Sequence, residues 1–211
     1  MNIAIIGSGN IGSGLARTFG ATSHGIVVAS RDIEGARSLA EKLDKDGIRV
    51  QVSDIATAVK NAEIIMLAIP YGAVNELASA VDFSDKVVID VTNPLKEDFS
   101  GITVGFDSSA AEEIQKLMPN AKVVKAFNTV FAQVYDQGLD FNGRAVPAFV
   151  AADDEGAKAT VMAVAKEAGF DAVDAGGLIN ARYIEPLAYL NIYFGYMAGQ
   201  GTQIAPAWLA R

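Results

Sequence analysis

The chain of 211 residues contains no cysteine and one histidine, His24. Without thiols there is no disulfide framework, no thiolate zinc site and no cysteine nucleophile, and one imidazole cannot supply a histidine-rich metal centre. Charge is scarce and one-sided. Lys and Arg total 17 against 25 Asp and Glu, for a net charge of -8, and charged residues make up only 20%. Such a chain lacks the basic footprint that neutralises phosphates, so no nucleic-acid partner is expected. The hydrophobic share of 51% also argues against long disordered tracts. Long uncharged runs are missing too. The most apolar stretch, 178–198, is broken by Arg182, Glu185, Pro186 and Asn191, whereas a membrane span needs about 20 nearly uncharged residues. Met1 leads into Asn2-Ile3-Ala4-Ile5-Ile6 with no charged leader and no cleavage site. The expectation is a cytoplasmic protein with no membrane partner, long enough for one domain with a sizeable core.

What is present is alternation. Short β-branched runs predict strands at 3–6, 26–29, 49–52, 64–69, 87–91, 122–127, 146–151 and 170–174. Helical patterns lie between them at 11–20, 33–46, 110–118 and 155–168, the second with Ala36, Leu39, Ala40 and Leu43 along one face. The strands are almost continuously apolar, as when helices cover both faces of a parallel sheet. The fold class predicted is α/β: a Rossmann-type, doubly wound, mostly parallel sheet with a C-terminal helical arm. Residues 1–177 read as the nucleotide-binding part and 178–211 as a helix and tail of the same domain.

Gly7-Ser8-Gly9-Asn10-Ile11-Gly12 matches GxGxxG, and its context gives it weight: it follows a predicted strand, opens a helix and sits in a βαβ unit. Gly7 suits the tight turn, Gly9 lets backbone approach a pyrophosphate, and Gly12 allows helix to pack closely on strand. The helix N-terminus then holds the anion. At the end of the second strand, where an NAD site carries an acid for the ribose 2′-hydroxyl, the chain reads Val28-Ala29-Ser30-Arg31-Asp32. Ser30 and Arg31 suit a 2′-phosphate, Arg31 through charge-assisted contacts and Arg37 in support, which favours NADP. The alternative has Arg31 as a solvated surface charge and Asp32 as the ribose ligand.

A second cluster follows the later strands. Ile69-Pro70-Tyr71, Thr92-Asn93-Pro94-Leu95 and Phe127-Asn128-Thr129 all fall at predicted carboxyl ends, where open α/β sheets bind ligands, and together form one expected pocket rim. No GxSxG elbow, HExxH or P-loop lysine is present. His24 precedes the second strand, at the opposite edge of the sheet, and reads as a packing or surface residue. No catalytic acid, base or nucleophile is assigned.

The run from Gly7 to Gly14, with Ser30-Arg31, Ile69-Pro70, Asn93-Pro94-Leu95 and the late Asp174-Ala175-Gly176-Gly177-Leu178 with Asn180 and Arg182, resembles the NADPH-dependent F420 reductases. The resemblance spans nearly the whole chain, including the C-terminal helix and the 199–209 tail. Lys125-Ala126-Phe127-Asn128 is similar to a segment in the cytosolic domain of the STEAP metalloreductases, which pass electrons from NADPH to a flavin. The resemblance implies hydride transfer between NADPH and a deazaflavin (coenzyme F420) or a flavin such as FAD or FMN. It places Ser8, Asn10 and Ile11 with the glycines around the pyrophosphate, and Ser30 and Arg31 on the 2′-phosphate. Ile69 and Pro70 would flank the nicotinamide, with Asn93, Pro94, Leu95 and Ala132 beside the second ring. Such a reaction works by holding two rings in near-attack geometry. The chain departs from the family at Asn128, where a His precedes the Thr, and at Phe131, where a Pro stands. Basic residues for an anionic F420 tail are few: Lys96, Arg144 and Arg182. Two other readings stay open: a small imine or hydroxyacid dehydrogenase, and a non-catalytic NADPH-binding sensor or subunit.

The last predicted helix, about twenty residues after Gly177, carries Tyr183, Leu187, Leu190, Phe194 and Met197 on one face and Ile184, Tyr189, Ile192 and Tyr196 on the other. A helix apolar all round must be covered. One face is expected on the sheet and the other against a second subunit, in a homodimer.

Overall fold

A computed structural model describes residues 1–208; residues 209–211, the end of the predicted tail, lie outside the described part. Eight strands form one sheet in the order β3-β2-β1-β4-β5-β6-β7-β8. They are β1 (Asn2–Ile6), β2 (Gly25–Ala29), β3 (Gln51–Ser53), β4 (Ile64–Leu67), β5 (Val87–Asp90), β6 (Lys122–Lys125), β7 (Pro147–Ala152) and β8 (Asp171–Asp174). Neighbours are parallel except β7, which runs antiparallel to β6 and parallel to β8. This is the doubly wound arrangement, whose chain reversal falls between β1 and β4.

The apolar runs explain the layering. Ile3 to Ile6 are buried on both faces. Ile3 and Ile5 face one core with α1 (Asn10–Gly20), α2 (Ile33–Lys45), α6 (Ala132–Gln137) and α7 (Glu155–Glu167). Ala4 and Ile6 face the other, with α3 (Ile55–Asn61), α4 (Val74–Ala80) and α5 (Ala110–Leu117). Alternate residues of one strand thus enter opposite cores, which is why the strand shows no polar face.

Helix starts divide into two kinds. Asp32, Asp54, Ser109 and Asp154 cap α2, α3, α5 and α7, each accepting from the amide three residues on. Those ends satisfy themselves. Helix α1 starts at Gly9 with no side-chain cap and no acid in its first turn. Its amides and positive dipole end are left for something outside the helix.

Three differences from the sequence reading concern the site. The short helices α3, α4 and α6 have too few turns to show a clear period and were not predicted. β4 stops at Leu67 rather than 69, because the chain turns out through Ala68-Ile69 into Pro70 and a 3₁₀ turn, Tyr71–Ala73. The C-terminal helix is three pieces: a 3₁₀ turn Leu178–Asn180, α8 (Ala181–Ile192) and a π-helical turn Tyr193–Met197. Its buried face is also not the most apolar one: Ala181, Ile184, Glu185, Ala188 and Asn191 point inward while Tyr183, Leu190, Phe194 and Met197 stay exposed. Burial of Glu185 follows from a buried cation that it meets below.

Candidate active site

The three fingerprint glycines perform separable tasks. Gly7 has φ +119°, and a Cβ there would lie 2.2 Å from the Ala68 carbonyl oxygen. At Gly12 a Cβ would lie 2.0 Å from the Gly7 carbonyl oxygen, so helix and turn touch only without a side chain. A Cβ on Gly9 would meet nothing within 4 Å; that position faces open space beside the α1 N-terminus. Turn, packing and open approach are the three demands of a pyrophosphate cradle.

Two cavities open at the carboxyl ends of the strands and share Gly9, Ala68, Ile69 and Pro70. The first, about 480 Å³, is walled by Gly7, Ser8, Ser30 and Arg31 on one side and by Ala73, Glu76 and Leu77 on the other. Arg31 crosses it to reach the Glu76 carboxylate at 3.3 Å. Asp32, the alternative ribose ligand, accepts from the Gly35 amide at 3.0 Å as the α2 cap. Arg37 bonds Glu34 at 2.6 Å.

The second cavity, about 390 Å³, is lined by Asn10, Ile11, Asn93, Leu95 and Ala132, with Tyr71, Phe99, Asn128, Thr129, Phe131, Asn191 and Tyr196. Pro94 is buried and lines neither cavity. Its carbonyl accepts from Thr103 N at 2.6 Å and Thr103 Oγ1 at 3.1 Å, which ties down the loop carrying Asn93 and Leu95. Gly12 likewise works from beneath the cleft.

Asn93 and Asn128 hold each other. Asn93 Nδ2 donates to the Asn128 backbone carbonyl, and Asn128 Nδ2 donates to Asn93 Oδ1, both at 2.9 Å. The backbone carbonyl can only accept, so it sets the orientation of the first amide and, through it, of the second. Phe127, just before, has φ +65°, in the left-handed region, within this tied segment. Asn191 Nδ2 donates to the Thr129 carbonyl at 3.1 Å and brings α8 to the same wall. Tyr71 is shifted above its ordinary pKa, first by burial and then by the charges of Glu113, Glu185 and Asp90.

Beneath the second cavity lies a fully buried ionic cluster. Lys125 Nζ donates to Asp90 Oδ2 at 2.8 Å, meets Glu185 Oε1 at 2.9 Å and donates to the Thr92 carbonyl at 2.6 Å. Asp90 Oδ1 accepts from Thr92 N, and Glu185 accepts from the Ala110 and Ala111 amides at the start of α5. Burial pulls the Lys125 pKa down, but Asp90 and Glu185 outweigh it and hold the ammonium above its usual value. The cluster joins β5, β6, α5 and α8 under the Asn93 loop.

The cations expected at the rim are elsewhere. Arg182 is bound to Glu112 through Nε and Nη2, the latter at 2.7 Å. Arg144 lines a separate groove beside β7, β8 and α8. Lys96 is exposed just past Leu95. His24 lies with its Nε2 3.2 Å from Glu167, at the start of β2, the far end from the cleft. The sequence reading missed Glu76, Phe99, Asn191 and Tyr196 as cavity residues. Polar Asn191 within an apolar run was a usable signal; Glu76, an ordinary charge on a short unpredicted helix, offered none.

A family model described as "NADP oxidoreductase coenzyme F420-dependent" matches residues 2–94. The F420-dependent NADP reductase of Methanothermobacter marburgensis is 31% identical over 207 residues, 91% of each chain. Rat metalloreductase STEAP3 is 30% identical over 186 residues, which cover 88% of this chain and 36% of that protein. Among solved structures, a candidate F420-dependent NADP reductase of Arthrobacter sp. FB24 superposes with a TM-score of 0.82 at 25% identity, covering 97% of this chain and 99% of the other.

Proposed function

This chain belongs to the F420-dependent NADP reductases, and from that premise we propose that it transfers a hydride between NADPH and coenzyme F420 across the junction of its two cavities. The supporting observation is that the two cavities share Gly9, Ala68, Ile69 and Pro70 as a common wall. Ser30 and Arg31 would hold the 2′-phosphate of an extended nucleotide and Gly9 its pyrophosphate, with Ile69, Pro70 and Asn93 left to receive its far ring. The residues fit the cofactor: α1 begins with no side-chain cap and no acid in its first turn, and Gly9 leaves open the space a pyrophosphate needs. NADPH, when bound, supplies the hydride.

The chain's own residues bind and orient. Gly7, Ser8, Gly9, Asn10, Ile11 and Gly12 form the pyrophosphate turn, while Ser30 and Arg31 take the 2′-phosphate. Ile69 and Pro70 pack against the nicotinamide. Asn93, Leu95 and Ala132 border the second ring, and Pro94 holds their loop from behind. Two flat rings in one apolar slot need placement more than proton transfer, so proximity carries the rate. Residues 1–177 form the NADP-binding unit, and the described residues from 178 onward add the arm.

The test follows absorbance of the NADPH band with purified protein and F420, FMN or FAD. Turnover with F420 supports the reading. Oxidation with a flavin alone moves the acceptor to the class that Asn128 and the STEAP likeness favour. NADPH binding without turnover on any of them refutes the enzyme reading. Arg31→Ala is expected to weaken NADPH far more than NADH; equal losses overturn the 2′-phosphate assignment.

The exposed apolar face of α8 supports a homodimer. Tyr183 is 66% exposed and Leu190 46%, beside a groove that Leu187 and Trp208 also line. A second copy would bury this patch. Light scattering of a stable monomer refutes it. Among the described residues no helix is long and apolar enough to cross a membrane. The same proposal places the protein in the cytoplasm, which cell fractionation checks.

A further inference from the structure

We propose that Glu76 is a specificity-determining residue that competes with the cofactor's 2′-phosphate for Arg31 and so sets the preference between NADPH and NADH. The inference rests on the NADPH reading above. Its starting point is the ion pair across the first cavity: Arg31 leaves the end of β2, Glu76 sits in the first turn of α4, and both line the same space. The other charged groups around the proposed phosphate position are already engaged. Arg37 is bonded to Glu34, and Asp32 is held as the α2 cap. Before any ligand enters, two guanidiniums stand against three carboxylates, and among the described residues the one cation facing the cavity already has a partner.

A 2′-phosphate is a dianion near neutral pH and gains from Arg31 only as the guanidinium turns from Glu76 toward it. Glu76, left behind at the edge of the same cavity, then repels it. A ribose 2′-hydroxyl meets the opposite situation, because a carboxylate can accept its hydrogen bond. Glu76 therefore narrows the advantage that Arg31 gives NADPH. Both side chains are 75% exposed, so the interaction is water-screened and its effect is moderate and salt-dependent.

The experiment measures binding of 2′,5′-ADP and 5′-AMP, two probes that differ only in the 2′-phosphate, by calorimetry at low and high salt. The proteins are the parent, Glu76→Gln and Arg31→Ala. Glu76→Gln is expected to tighten 2′,5′-ADP roughly three- to tenfold at low salt, the scale of one exposed charge acting on a dianion. The gain should shrink at high salt, and 5′-AMP should stay within about twofold of the parent or bind more weakly. No change, weaker 2′,5′-ADP, or equal tightening of both probes overturns the proposal. Arg31→Ala separates this failure from that of the underlying reading. If it leaves 2′,5′-ADP binding as in the parent, the 2′-phosphate assignment fails; if it abolishes the preference for 2′,5′-ADP while Glu76→Gln does nothing, only the role of Glu76 falls.

Discussion

Lys125→Met tests whether the buried ionic cluster holds the floor of the second cavity. The methionine nearly conserves volume, so the packing change is small and the electrostatic change dominates. Asp90 and Glu185 then share a buried site without their cation, and the Thr92 carbonyl loses its donor. Breaking a buried pair from one side costs about 3–5 kcal/mol, a large share of the roughly 5–15 kcal/mol that holds a typical domain. Urea unfolding, with the midpoint falling at constant slope, measures it. The pH dependence supplies a second reading. Burial already raises the Glu185 pKa, and Lys125 is the main opposing influence. In the variant the folded carboxyl rises further, so it takes up a proton that the unfolded chain releases. A raised folded carboxyl costs stability above its unfolded value, so the deficit should grow from about pH 5 to pH 8. Adding Asp90→Asn and Glu185→Gln should recover much of the loss, because no charge is then left buried. A deficit below about 1 kcal/mol at pH 8, or a triple variant no better than Lys125→Met, would refute the reasoning.

The glycines give a pair of opposite outcomes. Gly12→Ala forces a Cβ against the Gly7 carbonyl and should cost about 1–3 kcal/mol in urea unfolding as well as NADPH affinity. Gly9→Ala meets no protein atom within 4 Å and should leave stability within about 0.5 kcal/mol of the parent, while weakening NADPH at least tenfold in a fluorescence titration; normal NADPH affinity would remove Gly9 from the pyrophosphate site. The Arg182–Glu112 pair predicts acid sensitivity. The hydrogen bond from Arg182 holds the Glu112 carboxyl below its usual value of 4.5. That contribution is complete above pH 4.5 and is lost as pH falls through the lowered value. Glu112→Gln should therefore lose about 1 kcal/mol at pH 7 and match the parent at the acid end; an equal deficit at both ends would contradict it.

The sheet and the fingerprint were legible because both depend on local order. Apolar runs such as Ile3 to Ile6 cannot face water on either side, and three glycines at fixed spacing serve a turn, an approach and a contact all made within a dozen residues. Ser30 and Arg31 could be read the same way, from their place at a strand end. Short helices such as α4 left no period to read, which hid Glu76, and the roles of Asp90, Lys125 and Glu185 depended on partners 35 and 75 positions apart in sequence. A lone Lys in a strand and a lone Glu in an apolar helix look like defects in the pattern. Only packing β6 against β5, and α8 against the start of α5, turns them into one satisfied cluster and sends the polar side of α8 inward. The missing cysteines and the near-absence of histidine had excluded chemistry but could not locate any. Which charges face the cofactor, and which are already occupied by one another, was decided by tertiary structure, because Coulomb and hydrogen-bond energies depend on separation in space and not along the chain.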